Sequence, residues 1–137
     1  VRDFKGYPKI EEMVGKTFTK VYLDEYHTEM IFENDEERYV FFHDQDCCES
    51  VTIEDIVGDL SDLENTPLLK AEESNSADGC ADETFRILSS EVICAESYTY
   101  TYYKFATIKG YVDVRWFGES NGYYSESVYL GREALNV

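Results

Sequence analysis

The sequence predicts an α+β fold: a mostly antiparallel sheet of about six or seven strands, set out as two meanders, with short helices covering part of it. Three observations carry this expectation. Apolar and polar side chains alternate with period two through several segments. Short polar or glycine-containing stretches separate those segments, as between antiparallel neighbours. Residues 8–15 and 51–58 instead carry helix-start and helix-stop signals.

Taken in order, Pro8 to Gly15 predicts one or two helical turns, with Ile10, Met13 and Val14 on one face. Thr17 to Leu23 is rich in Thr, Phe, Val and Tyr and predicts a strand. Thr28 to Glu33 predicts a second, with Met30 and Phe32 on one face. After the polar turn Asn34-Asp35-Glu36-Glu37, Arg38 to His43 predicts a third and completes the first meander. Val51 to Gly58 reads as a helix with Thr52 as N-cap and acids near its start. Leu60 and Leu63 suggest a further turn before Thr66-Pro67, and Leu68 to Ala71 a short strand. Ser74 to Asp82 is the best loop in the chain, and Thr84 to Ala95 reads as a weak strand. The second meander follows. Tyr98 to Thr107 places Tyr98, Tyr100 and Tyr102 on one face, and Tyr111 to Phe117 turns Val112, Val114 and Trp116 inward. Asn121-Gly122 is a strong hairpin signal, so Tyr123 to Leu130 should return beside the preceding strand. Tyr111, Tyr123 and Tyr129 form an outward set suited to an interface.

The length of 137 residues fits one domain, read as a single acidic unit over 1–137 with 74–95 a variable or mobile insertion. The net charge is −17, and it is not spread evenly. Residues 21–100 hold 22 acidic and three basic side chains, whereas residues 1–20 are slightly basic and 101–137 are balanced. With no basic patch to release counterions, direct binding to DNA or RNA is disfavoured and attraction to a basic surface is favoured. No apolar run approaches a membrane span and the first residues do not resemble a signal peptide, so a cytoplasmic protein is expected, with no membrane partner.

The densest chemistry lies in Phe41-Phe42-His43-Asp44-Gln45-Asp46-Cys47-Cys48-Glu49-Ser50. Imidazole and thiolate are natural donors for zinc, and His43, Cys47 and Cys48 supply three within six residues. Asp44, Asp46, Cys80 or Cys94 could complete a shell. The spacing is not a familiar zinc pattern, and the competing account is that the cysteines are small packing residues and His43 ends a strand. A catalytic Cys–His pair is disfavoured, because the surrounding carboxylates raise a thiol's pKa. The acids at 54–64 lack the spacing of an EF-hand loop, and no glycine-rich phosphate loop occurs.

The runs His43-Asp-Gln-Asp-Cys-Cys-Glu-Ser-Val51, Ile53-Glu-Asp-Ile-Val-Gly-Asp-Leu60, Tyr103-Lys-Phe-Ala-Thr-Ile-Lys-Gly110 and Arg115-Trp-Phe-Gly-Glu-Ser-Asn-Gly-Tyr-Tyr-Ser-Glu-Ser127 carry a resemblance. They resemble a family of small proteins of unknown function in phages and prophages of low-GC Gram-positive bacteria. The resemblance runs from about Val14 to Val128 and is poorest over 74–95. It implies a phage setting, where small acidic proteins often inhibit host defence as anti-CRISPR or anti-restriction proteins. Its signature run contains the Cys-Cys pair, which favours zinc as a structural clip.

Two expectations follow. The first is a binding protein that docks Asp44, Asp46, Glu49, Glu54, Asp55, Asp59 and Asp62 on a basic host defence protein, such as a CRISPR effector nuclease, and blocks nucleic-acid loading. The second is a metal-dependent enzyme acting on a nucleotide or small signal molecule, with His43, Cys47 and Cys48 at its centre.

Overall fold

Strands take up more of the chain than its sequence suggests. The computed structural model describes residues 4–78 and 97–135. Its strands are β1 (Lys20–Leu23), β2 (Glu29–Glu33), β3 (Glu37–Phe42), β4 (Ser50–Val57), β5 (Lys70–Asp78), β6 (Ser97–Thr107), β7 (Gly110–Ser120) and β8 (Tyr129–Ala134). They form two four-stranded antiparallel sheets, ordered β1-β2-β3-β8 and β4-β7-β6-β5. Among the described residues there is no α-helix, only 3-10 turns at Ile10–Met13 and Leu60–Leu63. The α+β expectation is therefore corrected to an all-β, two-sheet architecture.

The inner faces of the two sheets meet through aromatic rings. Phe32 of β2 lies 4.9 Å from Phe105 of β6, and Phe41 of β3 lies 4.7 Å from Tyr103. Phe18, Met30, Val112, Val114 and Trp116 complete a core with almost no exposed surface. The first meander forms as the alternation predicts, with Met30 paired to Phe41 and Phe32 to Tyr39. The outer face of this sheet is covered beside β8, where Phe4 lies against Gly131 and stacks on Phe42 at 4.9 Å. A Cβ on Gly131 would meet the Phe4 ring at 2.5 Å, so only glycine admits the ring there. Backbone bonds from Lys5 N–H to Arg132 O and from Arg132 N–H to Gly6 O hold this N-terminal segment.

Three readings of individual segments are overturned. Val51 to Gly58 is not a helix but β4. Val51 and Ile53 are buried and Thr52 and Glu54 turn outward, yet a bulge between Ile53 and Asp55 breaks the phase. Two successive acids then face solvent, which on paper imitates a helical start. Ser74 to Asp78 is not loop but the second half of β5, paired with Tyr102 to Tyr98. Tyr123 to Leu130 does not return along β7. Asn121-Gly122 does turn, with Gly122 at φ +92°, but the chain then crosses to the other sheet and β8 pairs with β3. Glu126 anchors the crossing by accepting hydrogen bonds from the hydroxyls of Ser97, Thr99 and Ser120. The weak strand read at Thr84 to Ala95 lies outside the described residues, as does most of the 74–95 segment.

Candidate functional site

The connection from β3 to β4 folds around a carboxylate. Glu49, though acidic, is 5% exposed. Its carboxylate accepts bonds from His43 Nε2 at 2.8 Å, Asp46 N–H at 2.9 Å, Cys47 N–H at 2.9 Å and Gln45 Nε2 at 3.2 Å. Gln45 Nε2 also donates to the Glu49 carbonyl at 2.7 Å. Burial alone would push this carboxyl up; the bonds from His43 and from backbone N–H groups outweigh it and lower its pKa to about 2. Glu49 is therefore ionised and can only accept. His43 Nδ1 faces a second acceptor, the Ser127 carbonyl, at 2.6 Å. Both ring nitrogens are therefore engaged, and the His43 ring is held between Glu49 and the β7–β8 crossing.

This arrangement decides what the predicted ligands offer to a metal. Both His43 nitrogens are occupied by hydrogen bonds, one to Glu49 and one to the Ser127 carbonyl. Cys47 and Cys48 stand exposed at the loop tip with their sulfurs joined to one another as a disulfide. Among the described residues no group of three or more His, Cys, Asp or Glu is placed to hold a metal ion. In this conformation His43, Cys47 and Cys48 do not fit a zinc site; Cys80 and Cys94 lie outside the described residues.

The seven acids expected to face a partner do not form one patch. Glu49 is removed from the surface altogether. Asp44 and Asp46 are exposed in the β3–β4 connection, ahead of β4. Glu54 and Asp55 face out from the middle of β4, and Arg115 Nη2 lies 2.7 Å from the first and 4.0 Å from the second. Asp59 caps the turn Leu60–Leu63, where the Ser61 hydroxyl and N–H hold its pKa down. Asp62 is half-buried against Gly110. A strand as long as β4 separates the two ends of this set by roughly 25 Å.

What the sequence reading did not single out is the outer face of the second sheet. Val112, Val114 and Trp116 turn inward, so their neighbours turn outward. The register sets these neighbours in rows. Val57, Asp113, Lys104 and Glu72 lie side by side; Asp55, Arg115, Tyr102 and Ser74 come next; Thr52, Phe117, Tyr100 and Ser76 follow. Tyr98, Tyr100 and Tyr102 run down β6 with ring centroids 5.8 and 6.1 Å apart, and Phe117 lies 5.1 Å from Tyr100. The first two rows floor a groove of about 530 Å³. The shared face of the three tyrosines was legible in their spacing; the acids and Arg115 beside them required the register. Tyr111, Tyr123 and Tyr129 are exposed, as their outward reading expected.

A family model described as a domain of unknown function matches residues 11–130. The chain belongs to the DUF7448 family. That match takes in the Glu49 loop and all four strands of the second sheet, and it ends inside β8. No curated protein and no solved structure matches the chain. Among the described residues of this DUF7448 chain, no helix is long and apolar enough to cross a membrane.

Proposed function

We propose that the chain is a binding protein: a phage-type inhibitor of bacterial defence that docks on a basic, nucleic-acid-handling effector of the CRISPR class and blocks nucleic-acid loading. The observation that carries this reading is where the charge sits. The two-sheet body turns Asp44, Asp46, Glu54, Asp55 and Asp59 to its surface, while its most reactive-looking stretch is closed on itself around Glu49. Such a surface competes for a cationic channel that would otherwise hold a phosphate backbone. The phage setting rests on the resemblance of the sequence runs, and the effector class on the match between a negative folded surface and a nucleic-acid groove.

The test is guide loading by a purified effector nuclease in the presence of the protein. Loading and cleavage should fall as the protein approaches stoichiometry. Association should weaken as salt rises, because screening shortens from about 10 Å at 0.1 M to about 3 Å at 1 M. Reversing Asp44, Asp46, Glu54 and Asp55 together to lysine should abolish it. An effector that loads and cuts normally at low salt with excess protein present would remove this reading.

A further inference from the structure

We infer that the outer face of the β4-β7-β6-β5 sheet is a docking surface for an arginine-rich segment of a protein partner, with Tyr100 and Tyr102 as stacking plates and Glu54, Asp55 and Asp113 as guanidinium acceptors. The inference rests on the binding-protein reading and narrows it to one face and one side-chain chemistry.

The chain itself shows how this face handles a guanidinium. Arg115 sits with its Cζ 5.8 Å from the Tyr100 ring centroid and its Nη2 2.7 Å from the Glu54 carboxylate, with Asp55 at 4.0 Å. A ring face on one side and a carboxylate at the edge is the arrangement that favours arginine over lysine. The guanidinium is flat, weakly hydrated and forked, whereas an ammonium is a compact hydrated point charge. Beside Arg115 the same elements recur. Tyr102 is 39% exposed and is paired across the ladder with Ser74 on one side and Arg115 on the other. Asp113 and Glu72 flank Lys104 in the adjacent row, and Lys104 Nζ lies 3.9 Å from Asp113. Exposed Val57 closes that row with an apolar shoulder for an arginine stem. Nucleic-acid bases could also stack on tyrosines, but a chain of net charge −17 repels their phosphates. The same charge opposes a second copy of the chain, so a cationic segment is the occupant that the charge selects.

The experiment uses a short fluorescein-labelled Arg-Gly repeat peptide and its Lys-Gly counterpart, read by fluorescence polarisation and by amide shifts of the labelled protein. The Arg peptide should bind about 3-fold or more tighter than the Lys peptide, with shifts concentrated on Tyr98 to Lys104 and Asp113 to Phe117. Tyr102→Ser, at an exposed position, should weaken the Arg peptide about 3- to 10-fold without changing the melting curve. Arg115→Gln should tighten it, because Tyr100, Glu54 and Asp55 are vacated. Lys104→Gln, an equal charge change that vacates no ring, should tighten it less. Equal binding of both peptides, indifferent to Tyr102→Ser, would overturn this face while leaving acidic docking elsewhere intact. A parent that captures the effector but ignores both peptides would do the same. A dimer in sedimentation that Tyr102→Ser dissociates would assign the face to self-association and overturn the proposal.

Discussion

Glu49 shows how little a residue type says about its task. In the sequence it is one acid among 29, and it reads as part of a solvated surface. In the fold it is the acceptor on which the β3–β4 connection closes, held by His43, Gln45 and two backbone N–H groups. Its lowered pKa has a definite sign in stability. A carboxyl whose folded pKa lies below its ordinary value near 4.5 stabilises the fold fully above that value, and the contribution disappears as pH falls through about 2. Urea melts of the parent and Glu49→Gln should therefore differ clearly at neutral pH and converge between about pH 4.5 and 2. A gap that stays constant down to acid would deny the carboxylate this role. The same bonds bear on zinc. His43 was legible as a special residue, but a sequence cannot say whether an imidazole nitrogen is open to a metal or already engaged. Here both nitrogens are engaged. Elemental analysis of tag-free protein should find no stoichiometric zinc, and His43→Ala should lower thermal stability without changing metal content. Stoichiometric zinc lost in His43→Ala would require a different loop conformation from this one.

At the scale of elements, strands with alternation or a dense apolar run between polar turns were legible, and strands that are bulged or polar were not. β7 alternates along its whole length and β6 from Thr101 to Phe105, whereas β2 and β3 bury three successive residues each, Met30 to Phe32 and Tyr39 to Phe41, and were legible from their apolar and aromatic content between polar turns. β4 fails that test only because its bulge turns Glu54 and Asp55 outward together. β5 fails because Glu72 to Ser76 lie exposed and carry almost no apolar signal; what makes them a strand is the ladder that β6 offers. Connections are harder still. The Asn121-Gly122 turn was visible, but its destination depends on Glu126 finding three hydroxyls brought together by the fold. Two glycines separate conformational need from steric need. Gly58 has φ +113°, and a Cβ there would fall well inside contact distance of the Tyr111 carbonyl oxygen, a backbone atom that cannot step aside. Gly122 has φ +92° but open space around it. Gly122→Ala should then lose only the left-handed backbone penalty, about 1 kcal/mol. Gly58→Ala should lose that and the clash, about 3 kcal/mol or more. Equilibrium urea unfolding of the two variants measures both, and equal losses would mean that the β4 end gives way more easily than its packing implies.

For the molecule as a whole, charge and packing oppose one another. The aromatic core between the sheets holds together a chain whose net charge is −17, and ion pairs among the described residues such as Lys16 with Glu37, Arg38 with Glu133 and Arg115 with Glu54 are partly exposed. Exposed pairs of this kind contribute about 0–1 kcal/mol each. Acid–acid repulsion is summed over the surface and is not balanced by them. Salt screens attraction and repulsion alike, so whichever is stronger sets the direction of the change. Repulsion dominates in so acidic a chain, so raising sodium chloride from low to physiological strength and beyond should raise the melting temperature. A gain of about 1 kcal/mol would appear as roughly 4 °C in a domain of this size. The same salt should weaken docking on a basic partner, whose attraction it screens equally well. A melting temperature that rises with salt while partner affinity falls is thus the joint outcome of one surface charge, measured by scanning calorimetry and by titration in the same buffers. If the melting temperature fell instead, the native ion pairs would outweigh the repulsion, and the acids would be engaged within the fold and not held out for a partner.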